Sequence, residues 1–393
     1  MVLGGAELTL KSITHGMAER GHEVVVVSLS QPEAATWTSK GLIEDIRLPI
    51  QNAYLPDGKT SRSRIQKLRW HFRDLYNFEA GRLLERVIEK QAPDVVSSHN
   101  LSGFSVSAWS AAARNNVPVV QVCHDFYLTC LQTMRSRNSV PCVRTCIDCG
   151  IAKSHVRNLS KTITGTVFIS RAVQSVFDQN GYFSNASSKS LIYNSVDLDL
   201  SEPPRRRRSA PPVQLGFLGT VAPHKGIETL LKAFRRIRAS KKFMLSVAGP
   251  GDNSYVQWLK SEFGADDISF LGVLPPHEFF KKVDVCVVPS LSFEPLGRVA
   301  IESLAFGVPV IASKRGGLVE IVRHGENGFL FDAGDAEQLA EIMSNKIDKL
   351  IRMDPKELRG SVSSFTSAER MFDEYETLYA EVTAEKIARE SSR

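Results

Sequence analysis

Two carboxylates in the C-terminal half of the chain, Glu294 and Glu302, lie on either side of a predicted helix start. The β-branched run at 283–288 predicts a buried parallel strand, and a helix is predicted from Gly297 to Gly307. Ligands of open α/β sheets bind beyond the carboxyl ends of the strands, so we expect Glu294 to lie over such a crevice. Glu302 then lies on the helix behind it. Unpaired N–H groups at the start of this helix suit an anion or a sugar hydroxyl.

A cation is expected beside a second strand end. The predicted strand 213–218 leads into a loop at Gly219, and Lys225 precedes a helix whose apolar residues recur at helical spacing. This layout suits an anion, because Lys225 supplies a point charge and the helix start supplies amides. Ordinary surface charge is the alternative explanation of this lysine.

The two glutamates have seven residues between them and are followed by Gly-x-Pro-Val-Ile-Ala. This string resembles the Glu-x7-Glu signature of the retaining GT-B glycosyltransferases of family 4. Residues 194–197 resemble the hinge tetrad of that family, with Ser195 in place of glycine. Thr220 departs from the family pattern, which commonly has an arginine there, and Arg298 is a candidate to replace that charge. The resemblance covers nearly the whole chain and is strongest at 213–332.

The resemblance implies an α/β chain with a GT-B fold, in which two Rossmann-like, doubly wound parallel-sheet domains face each other across a cleft. A length of 393 residues agrees with two domains. The expected parts are an N-terminal acceptor-side domain at 1–200, a linker at 201–212, a C-terminal nucleotide-sugar-binding domain at 213–364, and a terminal part at 365–393. A long helix is predicted at 365–386, and we expect it to pack back on the first domain.

Only three residues precede Gly4 and Gly5, although a glycine turn of this kind normally follows a strand. In the family that the chain resembles, this turn follows the first, central strand of the N-terminal domain. We therefore expect that strand to be absent or shortened, which would remove a partner from the centre of a parallel sheet.

The roles of the site residues are also implied by the resemblance. Transfer of a hexose from a nucleotide diphosphate builds negative charge on the leaving diphosphate, and Lys225 with the helix starts suits that charge without a metal. Glu294 is implied to contact the sugar hydroxyls, Glu302 the ribose hydroxyls, and His124 the reacting carbon or the 6-hydroxyl. The implied catalytic residues are His124, Glu294 and Lys225, and the implied donor-binding residues are Gly5, Gly219, Thr220, Lys225, Glu294, Pro295, Leu296, Gly297 and Glu302.

Six basic residues and no acid lie at 59–73, interleaved with Ile65, Leu68, Trp70 and Phe72. A basic amphipathic segment with an aromatic anchor can lie on an anionic membrane surface. A solvated helix face is the alternative, and both stay open. No nucleic-acid partner is expected, because no base-reading module accompanies the charge and the net charge is only +6.

Four cysteines, Cys130, Cys142, Cys146 and Cys149, lie within 20 residues. Four thiolates could hold one tetrahedral zinc ion in a structural role, and free thiols are the equal alternative, since only the last pair has the two-residue gap of common zinc sites. A catalytic zinc is not expected, because four protein ligands leave no open position. Cys286 is expected in the core.

The composition is that of a globular protein, with 42% apolar and 23% charged residues. No apolar run approaches the ~20 residues that cross a bilayer, and no signal peptide is recognised. We expect a cytoplasmic protein, and peripheral attachment at the inner membrane face stays open.

The predicted function is transfer of a hexose from a nucleotide-diphosphate sugar to a glycan or lipid-linked acceptor. The resemblance implies retention of configuration by front-side attack, with the leaving phosphate taking the acceptor proton and no cofactor beyond the donor. Polysaccharide biosynthesis is the expected process. The alternatives are a nucleotide-sugar epimerase of GT-B fold, and a non-catalytic nucleotide-sugar-binding protein if the first strand is missing.

Overall fold

The chain forms two compact units in the computed structural model, which describes residues 5–30, 36–54, 62–137, 140–142, 144–201, 212–240 and 242–391. The first unit contains the residues up to 134, 143–194 and 368–393, and the second contains 135–142 and 195–367. The chain passes from the first to the second unit after Asn194, and the N–H of Val196 donates to the Phe365 carbonyl at 2.9 Å within the second unit. Most of the predicted linker, 202–211, lies outside the described residues.

The N-terminal half contains both helices and strands. In chain order they are α1 (Gly5–Glu19), β1 (Val24–Ser30), β2 (Thr36–Lys40), β3 (Ile43–Pro49), α2 (Arg64–Leu75), α3 (Phe78–Gln91), β4 (Val96–Ser98), α4 (Ser107–Arg114), β5 (Val119–Cys123), β6 (Ser136–Arg137), β7 (Val140–Pro141), α5 (Ile147–Ala152), α6 (Ser154–Leu159), β8 (Gly165–Phe168), α7 (Arg171–Gln179) and β9 (Ser188–Leu191). The short β6–β7 hairpin belongs to the second unit.

The described strands of the first unit make two sheets. One has the order β1-β3-β2, in which β1 and β3 are parallel and β2 is antiparallel to β3. The other has the order β4-β5-β8-β9 and is wholly parallel, with every residue of β5 and β8 buried. By contrast, β1 is only half-buried along its whole length. The predicted loss of a central strand concerns residues 1–4, which lie outside the described part of the chain.

The second unit continues the alternation of strands and helices. Its further elements are β10 (Val213–Leu218), α8 (Ile227–Ile237), β11 (Phe243–Ala248), α9 (Asn253–Phe263), β12 (Ile268–Gly272), α10 (Pro276–Phe280), β13 (Val285–Val288), α11 (Arg298–Ala305), β14 (Val310–Ser313), α12 (Leu318–Ile321), β15 (Gly328–Phe331), α13 (Ala336–Asn345), α14 (Ile347–Arg352), α15 (Pro355–Gly360) and α16 (Ser363–Thr366).

One parallel sheet of order β12-β11-β10-β13-β14-β15 forms the centre of the second unit. Strands β13 and β14 are entirely buried, and the buried residues of α8 include Leu230, Leu231 and Phe234. This confirms the predicted doubly wound α/β domain, because helices cover both faces of such a sheet. The chain proceeds from β10 outward in one direction and restarts at β13 on the other side. A ligand crevice is therefore expected at the carboxyl ends of β10 and β13.

The last helix, α17 (Ala368–Ser391), belongs to the first unit and begins after α16, so the predicted helix at 365–386 is two helices. Arg20, just beyond α1, lies 2.7 to 2.8 Å from carboxylates of α17, namely those of Glu369, Asp373 and Glu376. The Phe372 ring packs against Gly16, where a Cβ atom would lie 2.4 Å from ring carbons. Neither α17, with 24 residues, nor any other described helix is long and apolar enough to span a membrane.

The close approach of α17 to α1 makes Gly16 sensitive to substitution. We expect Gly16→Val to reduce the free energy of unfolding by about 1–3 kcal/mol, because the added carbons overlap the buried Phe372 ring. Gly360→Val is the control, since no atom lies within 4 Å of a Cβ added there. Urea titration of both variants measures the difference, and equal stabilities would contradict the packing.

Candidate active site

A lysine and a glutamate from neighbouring strand ends meet in the second unit. The Nζ atom of Lys225 donates to Oε1 of Glu294 at 2.6 Å. Lys225 ends a short turn after β10, and Glu294 lies in the loop after β13. Because β10 and β13 are adjacent and parallel, both loops leave the same edge of the sheet. The side chains are 30% and 13% exposed, so the pair is partly open to solvent.

Backbone contacts hold these two loops together. The carbonyl of His224 accepts the N–H groups of Leu291 and Ser292 at 3.0 and 3.1 Å. Gly226 has a φ of +72°, and a Cβ atom there would lie 1.9 Å from the Pro289 carbonyl oxygen. A side chain at position 226 would therefore separate the loop that carries Lys225 from the loop that carries Glu294.

Both the carboxylate and the backbone of Glu294 are held in place. Ser290 Oγ donates to Glu294 Oε1 at 2.5 Å, and Ser313 Oγ donates to the Ser290 carbonyl at 2.7 Å. The Gly317 N–H donates to the Glu294 carbonyl at 2.7 Å. Hydrogen bonds from the loops after β10, β13 and β14, which carry Lys225, Ser290 and Gly317, thus determine where Glu294 lies.

Glu294 is ionised at neutral pH in spite of its burial. Burial alone would raise the pKa of its carboxyl group, but the charge of Lys225 and the hydrogen bonds from Lys225 and Ser290 outweigh burial and lower it. Burial, followed by the charge of Lys225, lowers the pKa of the neighbouring His224. The site therefore combines one anion, one cation and a neutral imidazole.

Glu302 lies behind this pair on α11 and binds Arg298 instead. Arg298 Nε donates to Glu302 Oε1 at 2.7 Å, and the glutamate side chain is only 6% exposed. Burial raises the pKa of Glu302, and Arg298 opposes that rise. Arg298, the candidate to replace the charge expected at position 220, is thus engaged by this carboxylate.

The remaining donor-binding candidates of the second unit line the same strand ends. Gly219 directly follows β10 with a φ of +141°, and Thr220 beside it is exposed. Pro295 and Leu296 lead from Glu294 to Gly297, which precedes α11 with a φ of +96°. Gly5, in the first unit, is the exposed first residue of α1.

His124 lies in a small pocket of the first unit, just beyond β5. Its Nε2 atom is 2.9 Å from Nδ1 of His99, which follows the neighbouring strand β4. The two rings stack with centroids 5.2 Å apart and planes inclined by 24°. Burial lowers the pKa of His124 to about 4 and, with the charge of His124, lowers that of His99 well below its usual value. Both imidazoles are therefore neutral at pH 7, and Ala6, Asn100 and Asp125 complete part of the pocket wall.

Buried polar side chains fix the backbone of His99. Gln121 Nε2 donates to the His99 carbonyl at 3.2 Å. The Oε1 atom of Gln121 accepts from Ser98 Oγ at 2.7 Å and from Trp109 Nε1 at 2.9 Å. The strand end that carries His99 is thus tied to β5, which carries His124.

The basic helix α2 buries its tryptophan. Trp70 is 6% exposed and donates from Nε1 to the Tyr54 carbonyl at 3.0 Å, so this side chain packs into the first unit. Ile65, Leu68 and Phe72 are instead exposed by 67%, 71% and 77%. Residues 59–61 of the predicted basic segment lie outside the described residues.

Asp74 attaches the end of α2 to the first unit. Its Oδ2 atom accepts from Tyr127 at 2.6 Å, and Oδ1 accepts from the Gly103 N–H at 2.7 Å. Burial raises the pKa of Asp74 to about 6, although both hydrogen bonds and the charge of Lys153 oppose that rise. The Lys153 ammonium group lies 4.3 Å from the centre of the Tyr127 ring.

Three of the four clustered cysteines, Cys130, Cys146 and Cys149, belong to the first unit, and Cys142 belongs to the second. Burial raises the pKa of Cys149 to about 12, and Cys146 and Cys130 add to the rise. Within the described ranges, no group of three or more His, Cys, Asp or Glu side chains could hold a metal ion. The structural zinc ion therefore stays a prediction. Cys286 is fully buried in β13, as expected.

The sequence patterns did not indicate His99 or Ser290, and they indicated Asn194 only as part of the hinge tetrad 194–197, although all three residues contact predicted site residues. Asn194 Nδ2 lies 3.4 Å from Nδ1 of His124, and Ser290 binds Glu294. His99 could have been recognised, since it directly follows a strand next to the one that precedes His124. A serine at a loop start, such as Ser290, carries no comparable signal.

Comparisons with known proteins agree with this architecture. Residues 3–200 match the family described as Glycosyltransferase Family 4, and residues 202–361 match Glycosyl transferases group 1. A Klebsiella pneumoniae protein, described as an uncharacterized 42.6 kDa protein in cps region, is 30% identical over 342 residues, or 86% of this chain and 88% of the relative. A D-inositol 3-phosphate glycosyltransferase of Stackebrandtia nassauensis is 33% identical over 183 residues, or 42% of this chain and 40% of that protein.

Solved structures of similar fold cover nearly the whole chain. Sucrose-phosphate synthase from Thermosynechococcus elongatus has a TM-score of 0.72 at 21% identity, covering 97% of this chain and 94% of that one. HepE of Anabaena in complex with UDP has a TM-score of 0.69 at 20% identity, covering 96% of each chain. The fold is thus that of the GT-B glycosyltransferases. The chain belongs to Glycosyltransferase Family 4, with a group 1 glycosyltransferase region as its second half, and it is a transferase of glycosyl groups.

Removal of Lys225 should reverse the direction of the pKa shift at Glu294. In Lys225→Met, burial is no longer outweighed, so we expect the pKa of Glu294 to rise above its usual value. In the wild type, the ionised Glu294 stabilises the fold above its unfolded-state pKa, and this contribution is lost as the pH falls. In the variant the fold favours the neutral form of Glu294, and the contribution of this form to the stability of the fold is lost as the pH rises.

Carbon-13 NMR titration of labelled glutamate side chains measures these pKa values directly. Lys232→Met is the matched control, because Lys232 is 59% exposed on α8. An unchanged pKa of Glu294 in Lys225→Met would contradict the electrostatic account.

Proposed function

We propose that the protein transfers a hexose from a nucleotide-diphosphate sugar to a glycan or lipid-linked acceptor, with retention of configuration. The contact between Lys225 and Glu294 at the carboxyl ends of β10 and β13 carries this proposal. It joins an anion-binding group and a hydroxyl-binding group at the edge where sheets of this type bind ligands.

Each group of the pair suits one part of such a donor. Lys225 suits the leaving diphosphate, whose negative charge grows during transfer, and the N–H groups at the starts of α8 and α11 add to this effect. Glu294, ionised and held by Ser290, can accept hydrogen bonds from sugar hydroxyls. Glu302 would face the ribose. In the absence of a donor, Glu294 is the counter-ion of Lys225, and the diphosphate would replace it.

The names of similar proteins support a nucleotide-sugar donor. HepE of Anabaena has been solved with UDP-glucose, at a TM-score of 0.60 to this chain and 20% identity. The Klebsiella pneumoniae relative is described as a protein in the cps region. By analogy, we propose a polysaccharide-type acceptor. UDP-hexoses are therefore the first donors to test.

We propose retention by front-side attack on the basis of the family resemblance. An inverting transfer needs a general base opposite the leaving group, whereas front-side attack lets the leaving phosphate take the acceptor proton. In this mechanism His124 lies near the reacting carbon or the 6-hydroxyl and acts as a neutral hydrogen-bonding group. Its low pKa agrees with that role.

Loss of either member of the pair should abolish most transfer activity. We expect Lys225→Ala and Glu294→Gln each to lower kcat by about 100-fold or more, because charge stabilisation in the transition state is lost. The measurement is nucleotide-diphosphate release in a screen of UDP-hexoses with glycan and lipid-linked acceptors.

Arg236→Ala and Glu337→Gln are the controls, since they alter an exposed ion pair of the same unit whose atoms lie 2.7 Å apart. Circular dichroism must show that all variants remain folded. Rates like the wild type in both site variants would refute the assignment, and conversion of the donor sugar without an acceptor would indicate an epimerase instead.

We further propose that α2 lies on an anionic membrane surface. Its exposed Ile65, Leu68 and Phe72 recur at helical spacing and are surrounded by the basic residues Arg64, Lys67, Arg69 and Arg73. Apolar side chains on a basic helix suit the interface of an acidic bilayer. Lipid-linked acceptors would be reached from such a position.

Flotation with anionic liposomes tests this surface. We expect the double variant Arg64→Glu, Lys67→Glu to bind about 30-fold more weakly or worse, because each basic residue contributes on the order of 1 kcal/mol. Phe72→Ser should also weaken binding, whereas Val319→Ser, at a 48% exposed position in the second unit, should not. Equal flotation of all variants would refute the proposal.

A further inference from the structure

A chain of hydrogen bonds runs from α17 to His124 within the first unit. Tyr379 donates its hydroxyl to Ser97 Oγ at 2.8 Å, and Ser97 Oγ lies 3.2 Å from Nε2 of His99. Nδ1 of His99 lies 2.9 Å from Nε2 of His124. Nδ1 of His124 faces the amide nitrogen of Asn194 at 3.4 Å. Both ring nitrogens of each histidine are therefore engaged.

The contact with Asn194 shows in which direction the protons of this chain of hydrogen bonds point. The Asn194 amide nitrogen can only donate, so Nδ1 of His124 accepts and its Nε2 carries the proton. That N–H then donates to Nδ1 of His99, and Nε2–H of His99 donates to Ser97 Oγ. The arrangement requires both rings to be neutral, which agrees with the low pKa values that burial produces.

The two bonds of His124 differ in length. The bond to His99 is short, whereas 3.4 Å to Asn194 is near the limit of a hydrogen bond. Nδ1 is therefore the nitrogen that a sugar hydroxyl can take over from Asn194, while Nε2 stays bound to His99.

We propose that His99 is a positioning residue, which holds His124 in the tautomer and orientation that present an accepting Nδ1 atom to the substrate. This inference rests on the proposed function, because it assumes that His124 contacts the donor or acceptor. Gln121 fixes the backbone of His99, and Ser97 with Tyr379 fixes its ring. A residue that only filled space would need none of these bonds, and an aliphatic side chain could replace it.

Two substitutions of His99 separate a hydrogen-bonding role from a packing role. Asparagine places a polar atom close to the position of Nδ1 and can still accept from His124, whereas leucine fills the space without accepting. We expect His99→Leu to lower kcat by about 10- to 100-fold with little change in KM, since misplacement of a reacting group costs this much. His99→Asn should retain activity within about threefold of the wild type. Tyr379→Phe, which acts through two further bonds, should cost about 3- to 10-fold.

The tautomer of His124 is the readout that packing alone would not move. Long-range proton–nitrogen NMR of labelled protein should show His124 protonated at Nε2 in the wild type and in His99→Asn. In His99→Leu we expect a mixture of tautomers. Unchanged His124 signals in His99→Leu would overturn the proposal.

A double-mutant cycle with His124→Ala distinguishes failure of this inference from failure of the proposed function. The loss of activity that His99→Leu causes should disappear when the same substitution is made in the His124→Ala variant. The inference alone fails if His124→Ala loses activity but His99→Leu does not, or if His99→Leu costs as much in both backgrounds. If His124→Ala is fully active, the assumed role of His124 fails and the inference fails with it. If no donor is turned over at all, the NMR tautomers decide about His99.

Discussion

The ion pair between Lys225 and Glu294 is the interaction on which the site of the second unit depends. A partly buried charge is costly without a partner, so each of these residues satisfies the other while no ligand is bound. Their loops are held together by the His224 carbonyl and by the close approach that Gly226 permits. The same pair keeps Glu294 ionised and therefore able to bind hydroxyl groups. In the proposed reaction, the diphosphate of the donor would replace Glu294 as the counter-ion of Lys225.

Both units obey one geometrical rule. In parallel sheets the carboxyl ends of neighbouring strands open to the same edge, so residues that are far apart in the chain meet there. Lys225 and Glu294 follow β10 and β13, and His99 and His124 follow β4 and β5 in the same way. The first pair is an ion pair, whereas the second pair consists of two neutral imidazoles.

The architecture around these strand ends was largely predictable, but particular contacts were not. Strand and helix order followed from β-branched runs, glycines and helical spacing, and the predicted helix after Gly297 is α11. The burial of Trp70 was not predictable, because a pattern of basic and apolar residues shows that a helix has two faces without showing which face is buried. Spacing of cysteines likewise indicated a cluster, whereas the orientation of each thiol depends on the packing of short helices.

The sequence by itself determined the family, the alternation of strands and helices, and the residue types at the strand ends, because these depend on local pattern. Only the tertiary structure decided which groups touch. Lys225 binds Glu294 whereas Arg298 binds Glu302, and His99 rather than a carboxylate binds His124. Whether two groups on different loops form a hydrogen bond depends on differences of a few tenths of an ångström in the distance between them. Such distances depend on the packing of the whole unit, and they produce no periodic pattern in the amino-acid sequence.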